Sequence, residues 1–215
     1  MQASRVLALG FAVLIGCVGI FHGPSADQFN QKTIHVIDKY EEGGGPREIE
    51  LLAAATVYGL VIPEHSRVGF QQRGEMAWIK NAEPMQVSGI AFPAGSKISV
   101  VEHQHDFSSR TVGLDSVQLG SDATFGAVAL AAGDVVAFDD EKLPAVASLS
   151  GDRTFADRTY ARGSRLFFNK AGEVAKALSP AALRQLERAD TACRERCAPL
   201  AGDDNALCIQ RCIGT

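Results

Sequence analysis

Four stretches of this chain line up residue for residue: VYGLVIPEHSRVGF, VSGIAFPAGSKISV, FGAVALAAGDVVAF and FADRTYARGSRLFF. Their anchors are His65, Gly95, Gly133 and Gly163, spaced by 30, 38 and 30 residues. Three residues before each anchor stands an apolar or aromatic residue (Ile62, Phe92, Leu130, Tyr160), and directly after it stands Ser66, Ser96, Asp134 or Ser164. Apolar residues then alternate at Val68/Phe70, Ile98/Val100, Val136/Phe138 and Leu166/Phe168. The first and last units share a further turn, RGEMAWI and AGEVAKA, with Gly74 and Gly172 nine residues past the anchor. Agreement at fixed offsets marks an internal repeat, and a period near thirty residues limits the chain to architectures assembled from one small unit.

The pattern also gives the unit its structure. Alternation with period two means strands with one buried face. P-A-G-S and A-R-G-S place glycine where the backbone needs positive φ, and Q-Q-R-G-E and N-K-A-G-E read as hairpin turns. Each unit is expected to hold about three short strands, and connections this tight require antiparallel neighbours. Residues 50–178 are therefore expected to be mainly β: an antiparallel meander of about four repeats, forming a sandwich, a barrel or an open stack. Residues 22–49 are polar, end near EEGGGP and read as a linker, in which TIHVIDKY alternates as a possible first strand.

The ends of the chain differ from this middle. At the N-terminus Arg5 precedes a 16-residue apolar run, Val6 to Phe21. A cation followed by a short apolar run reads as a secretory signal. Within it, Leu14-Ile15-Gly16-Cys17 resembles the lipobox of bacterial lipoproteins. The resemblance covers residues 1–21 and implies cleavage before Cys17, a lipid on that cysteine and attachment facing outward. The residues after Cys17 stay apolar, which suits an uncleaved signal anchor, and a third reading cleaves near Pro24-Ser25-Ala26. All three put the body outside the cytoplasm.

The other four cysteines crowd into residues 179–215, in TACRERCAPLAGDDNALCIQRC. Each C-x3-C pair places two cysteines on one face of a helix. Ser179-Pro180 supplies an N-cap and a first-turn proline, Pro199 and Gly202 stop the first helix, and Asp204 or Asn205 caps a second. Two antiparallel helices then bring together Cys193 with Cys212 and Cys197 with Cys208. The twin C-x3-C spacing is similar to that of small helical-hairpin proteins of the mitochondrial intermembrane space, and the similarity concerns the staple alone. A four-cysteine zinc site is the competing reading. Structural zinc sites favour tighter C-x2-C pairs, and an oxidising compartment favours disulfides.

Net charge is -4, and no block of Lys or Arg stands out. A partner held by phosphate neutralisation needs a basic face, so no nucleic acid is expected, nor a polybasic membrane patch. The 38-residue spacing contains VEHQHDF, where His103 and His105 share one face of a strand and form a weak metal candidate. PAGSKISVVEHQH and LAAGDVVAF resemble phrases of the cupin β-barrels, which would make the chain a metal-dependent enzyme. The glutamate expected after the second histidine is absent, and no histidine follows Gly133-Asp134. The plain alternative is a solvated insertion. His65, Ser66, Ser96 and Ser164 read as turn residues, Asp139-Asp140-Glu141 as an acidic turn, and Trp78 and most of the phenylalanines as core.

These features point to a bacterial cell-envelope protein, periplasm-facing and held to the membrane by an N-terminal lipid or anchor. Its expected role is non-catalytic binding or scaffolding with an envelope protein partner and no cofactor. The hairpin and the open strand edges are the expected contact surfaces. The alternatives are a periplasmic lipid or glycan carrier of β-jellyroll type and a divergent cupin-like enzyme using His103 and His105.

Overall fold

The computed structural model describes residues 28–40, 45–104, 110–198, 208 and 212. Among these, ten strands form one antiparallel sheet and eight shorter strands form four separate hairpins. Long and short hairpins alternate along the chain. The first long hairpin is β1 (Ile34–Lys39) with β2 (Pro46–Leu51), followed by the short hairpin β3 (Ala55–Val57) and β4 (Leu60–Ile62). Next come the long β5 (Arg67–Phe70) and β6 (Met76–Lys80) and the short β7 (Met85–Val87) and β8 (Ile90–Phe92). The longest pair is β9 (Lys97–Gln104) with β10 (Arg110–Gln118), followed by the short β11 (Ala123–Phe125) and β12 (Val128–Leu130). The series closes with the long β13 (Val135–Phe138) and β14 (Pro144–Ser148), the short β15 (Arg153–Phe155) and β16 (Arg158–Tyr160), and the long β17 (Arg165–Phe168) and β18 (Val174–Leu178). One helix follows, α1 (Pro180–Cys197).

The sheet is an open stack. Among the described residues, β1 and β18 end the strand order and do not pair with each other, so no barrel forms. Two details differ from the sequence expectation. Each unit holds four strands where three were expected, because V-Y-G-L and V-S-G-I are themselves two-residue turns. Tyr58 and Gly59 have φ of 50° and 79°, and Ser88 and Gly89 have 52° and 78°, matching the twist of a tight hairpin. The stretch read as a linker also contributes both β1 and β2 to the main sheet, so the β domain begins well before Glu50.

The register explains the stack. Val36, Ile49, Val68, Ile79, Ile98, Val117, Val136, Ala147, Leu166 and Ala177 stand side by side across all ten strands. From Ile49 to Leu166 every member of this inner row is 0% exposed. The short hairpins pack against this row: Val57, Ile62, Val87 and Phe92 share one core with its members from Ile49 to Ala147, and Leu166 joins Leu149 and Tyr160 in a second. Burying one such side chain contributes about 1.5–3 kcal/mol, and a one-residue slip of register would turn the whole row to solvent.

Adjacent units are also stitched together. Each anchor donates its N–H to a carbonyl of the preceding turn, from His65, Gly95, Gly133 and Gly163 to Leu51, Asn81, Leu119 and Leu149. Those four residues return their N–H groups to the carbonyls of Ser66, Ser96, Asp134 and Ser164. The anchors have φ of 60°, 76°, 83° and 78°, so His65 adopts a conformation that glycine holds in the other three units. The next side chain reaches forward. Ser66 Oγ accepts from Ala82 N–H at 3.1 Å, Ser96 Oγ from Gly120 N–H at 3.1 Å, and Asp134 Oδ1 from Ser150 N–H at 2.7 Å. The position matching Ala82 and Ser150 after Ser164 is Pro180, which has no N–H to give. The ladder stops there and the chain turns into α1. Ser179 caps the helix through Ala182 N–H, and the Pro180 ring lies against Gly163.

Candidate functional site

Of the histidine pair singled out by the sequence, the structure places His103, near the end of β9 in the long β9–β10 hairpin. The extra residues of the 38-residue spacing lengthen this hairpin, so the insertion is an extension of two strands. His103 is exposed on β9 opposite Thr111. Its ring lies beside Gly113, where an added Cβ would fall 2.8 Å from Nε2. His105 lies outside the described residues. Among the described residues no group of three or more His, Cys, Asp or Glu is placed to hold a metal ion.

Beside it, Glu102 points to the inner side of the sheet, continuing the line of Ile98 and Val100. Its Oε1 accepts from Met76 N–H at 2.6 Å and its Oε2 lies 3.3 Å from Arg110 Nη1. The β6–β9 ladder pairs Trp78–Lys80 with Lys97–Ser99, so Glu102 covers an N–H beyond its end. Burial holds this carboxyl above the ordinary carboxylate value, while the Met76 N–H and Arg110 pull it back. The sequence marked Glu102 only as a neighbour of His103. Its position two residues on from Val100 was the available sign that it faces inward.

The recurring polar residues are occupied by the fold. Ser66, Ser96, Asp134 and Ser164 are buried. Asp134 also accepts from Ala131 N–H and Ser150 Oγ, and Arg153 Nε lies 3.7 Å from its second oxygen. In the acidic turn, Asp139 caps Leu143 N–H, Lys142 takes φ of 66°, and Glu141 pairs with Lys170 of the next long hairpin. Two shallow clefts separate the short hairpins. One, of about 550 Å³, is lined by Tyr58, Ser88 and Thr111, and the other, of about 630 Å³, by Asp122, Thr124 and Arg153.

The outer face of the sheet holds a feature that the sequence reading assigned to the core. Trp78 is on this face, half-buried, with its parity set by Ile79 pointing inward. The indole lies flat over Gly69 on β5, where an added Cβ would fall 2.1 Å from it. Lys97 Nζ lies 4.5 Å from the ring centroid. Beside this pair, Arg67, Lys80 and Lys97 stand directly opposite one another on three adjacent strands.

At the C-terminus, disulfides join Cys193 to Cys212 and Cys197 to Cys208, with Cα–Cα distances of 5.7 and 5.8 Å. This is the connectivity of two antiparallel limbs. Cys193 and Cys197 are the buried residues of α1, and Cys208 and Cys212 are helical. The connection between the limbs, with Pro199, Gly202, Asp204 and Asn205, lies outside the described residues, as does Cys17. The disulfides fit an extracytoplasmic location. Among the described residues no helix is long and apolar enough to cross a membrane. No family model, no curated protein and no solved structure matches the chain.

Proposed function

We propose that this protein is a non-catalytic component of the bacterial cell envelope, attached at its N-terminus through a lipid on Cys17 or an uncleaved anchor. It faces the periplasm and binds or scaffolds an envelope protein partner. The observation that carries this reading is where the polar residues go. Those that recur in the repeat, Ser66, Ser96 and Asp134, are consumed in backbone hydrogen bonds between units. What projects is a stapled arm, with Leu186 55% exposed, and an end strand, β1, with Ile37 38% exposed. A strand edge offers unpaired backbone groups to an extended partner, and the arm offers a preorganised surface. The carrier reading draws no support from the space between the layers, which Phe92, Phe125 and Phe138 fill with rings 5.1 to 6.0 Å apart.

Site-specific photo-crosslinking of the full chain, expressed in a bacterial envelope, tests the reading. Probes at Leu186 and Ile37 are expected to give discrete adducts with an envelope protein, while a probe at the exposed Ala91 gives none. Probes that give no adduct at either surface would remove the binding role. Intact mass of the same material tests the attachment: cleavage before Cys17 with added lipid mass is expected, and a cleaved, unlipidated chain would refute it.

A further inference from the structure

We propose that the outer face of β5, β6 and β9 binds an acidic glycan, with a sugar ring stacked on Trp78 and its anionic groups held by Arg67, Lys80 and Lys97. The glycan assignment relies on the extracytoplasmic placement above, but on no particular protein partner.

The repeat provides the comparison that isolates this site. In register, the positions of Arg67, Lys80 and Lys97 are filled by Val135, Ser148 and Arg165 farther along the same outer row. The pair Gly69–Trp78 is matched by Ala137–Val146 and Phe167–Lys176 in the later long hairpins. The fold is therefore satisfied by uncharged residues at the positions of Arg67 and Lys80, a cation recurs only at that of Lys97, and the glycine is not demanded by packing. Both features carry a cost. Like charges directly opposite on neighbouring strands repel, and glycine weakens a strand interior. The glycine does one thing that no other residue could: it lets the indole lie flat on the backbone of β5.

A flat indole rimmed by cations suits a ligand that is planar and apolar on one face and anionic at its edge. A charged pyranose has that form, its C–H face on the ring and its carboxylate or phosphate toward the cations. Lys97 is exposed on a flexible stem and can swing from the ring to meet the anion while keeping its charge nearby. Nucleic acid would need a broader basic face. Here Arg67 is already shared with Glu48 at 3.4 Å, and Glu48 and Glu50 bound the patch on β2.

Trp78 is the sole tryptophan, so its fluorescence reports the site directly. The full-length, disulfide-intact protein is titrated with a uronic-acid tetrasaccharide, a neutral tetrasaccharide and a short single-stranded oligonucleotide. A saturable fluorescence change is expected with the acidic sugar and not with the neutral one. The double variant Lys80→Gln/Lys97→Gln, altered only at exposed positions, is expected to bind about tenfold more weakly. Arg165→Gln, in the same row outside the patch, is expected to bind as wild type. No saturable change with the acidic sugar, or undiminished affinity in the double variant, would overturn the site. Tighter binding of the oligonucleotide would overturn the glycan assignment. The crosslinking result at Leu186 and Ile37 is independent of each of these outcomes.

Discussion

Leu166 and Leu186 lie twenty residues apart in the chain and live in different kinds of structure. Leu166, on β17, is 0% exposed within a row of apolar side chains that crosses the whole sheet, while Leu186, on α1, is 55% exposed. The β stack is held by many small, recurring contributions: a dry inner row, short hairpins laid against it, and one forward hydrogen bond from each of the first three units. The arm buries only its cysteines among the residues of α1, and covalent bonds do the ordering. The difference teaches that a repeat gains stability by adding neighbours. A short helical arm has no neighbour to add and needs a staple. Pro180 sits at the seam, ending one mode and starting the other.

The largest effect that sharpens this contrast lies in the inner row. Ile98→Ala is expected to cost about 3 kcal/mol, through lost burial and a cavity that the neighbouring Ile79 and Val117 cannot fill. Urea unfolding followed by Trp78 fluorescence measures it. The arm's two disulfides should form as in wild type, and a variant with scrambled pairing would contradict the separation.

The reciprocal change removes the staple. Cys193→Ser with Cys197→Ser, or full reduction, is expected to destabilise the arm by about 3 kcal/mol, the scale for a closed loop of this length. Helical circular dichroism should fall while the Trp78-monitored midpoint stays within about 0.5 kcal/mol of wild type. A body that loses stability along with the arm would show that the two regions are one cooperative unit.

Within the stack, the stitches are expected to have smaller and unequal weights. Ser96→Ala leaves the Gly120 N–H without its acceptor and should cost about 1–2 kcal/mol. Asp134→Ser should cost less than half of that, because serine already fills the matching place in the other three units. Chemical denaturation of the two variants side by side checks the order. Equal losses would mean that Asp134 depends on its Arg153 partner and not on the stitch.

Much of the stack was legible because its determinants are local and recurrent. Gly95, Gly133 and Gly163 announce positive φ, the alternation around Val68 or Leu166 announces a buried face, and twin C-x3-C spacing leaves few ways to pair. The short hairpins were less legible, since three-residue strands such as Leu60–Ile62 are too brief to show a period. The meander order of the strands was legible, but the residue-by-residue register between them was not. That Trp78 lies over Gly69, and that Arg67, Lys80 and Lys97 share one row, follows from cross-strand register, which no single stretch of sequence encodes. Glu102 was hidden for a related reason: its partner Met76 is 26 residues away, on another hairpin.

Glu102 also gives the smallest test, and its sign can be worked out. Burial first, and then the nearby Glu75, hold its carboxyl above the ordinary value of 4.5, against the Met76 N–H and Arg110. A carboxyl raised by folding binds its proton more tightly in the folded chain than in the unfolded one. Its contribution to stability is therefore fully present below the ordinary value and is lost as pH rises through the raised one. Glu102→Gln keeps an oxygen to accept from Met76 N–H and removes the titration. As pH rises from below the ordinary value of 4.5 through the raised one, the wild-type midpoint should decline relative to that of the variant, which lacks this component of the slope. Parallel pH profiles, or a wild type that gains on the variant with rising pH, would show that pairing with Arg110 outweighs burial. The two strands of the long hairpin would then be tied to each other by an ion pair near its tip, and the stack would depend on charge at the one unit where its repeat is interrupted.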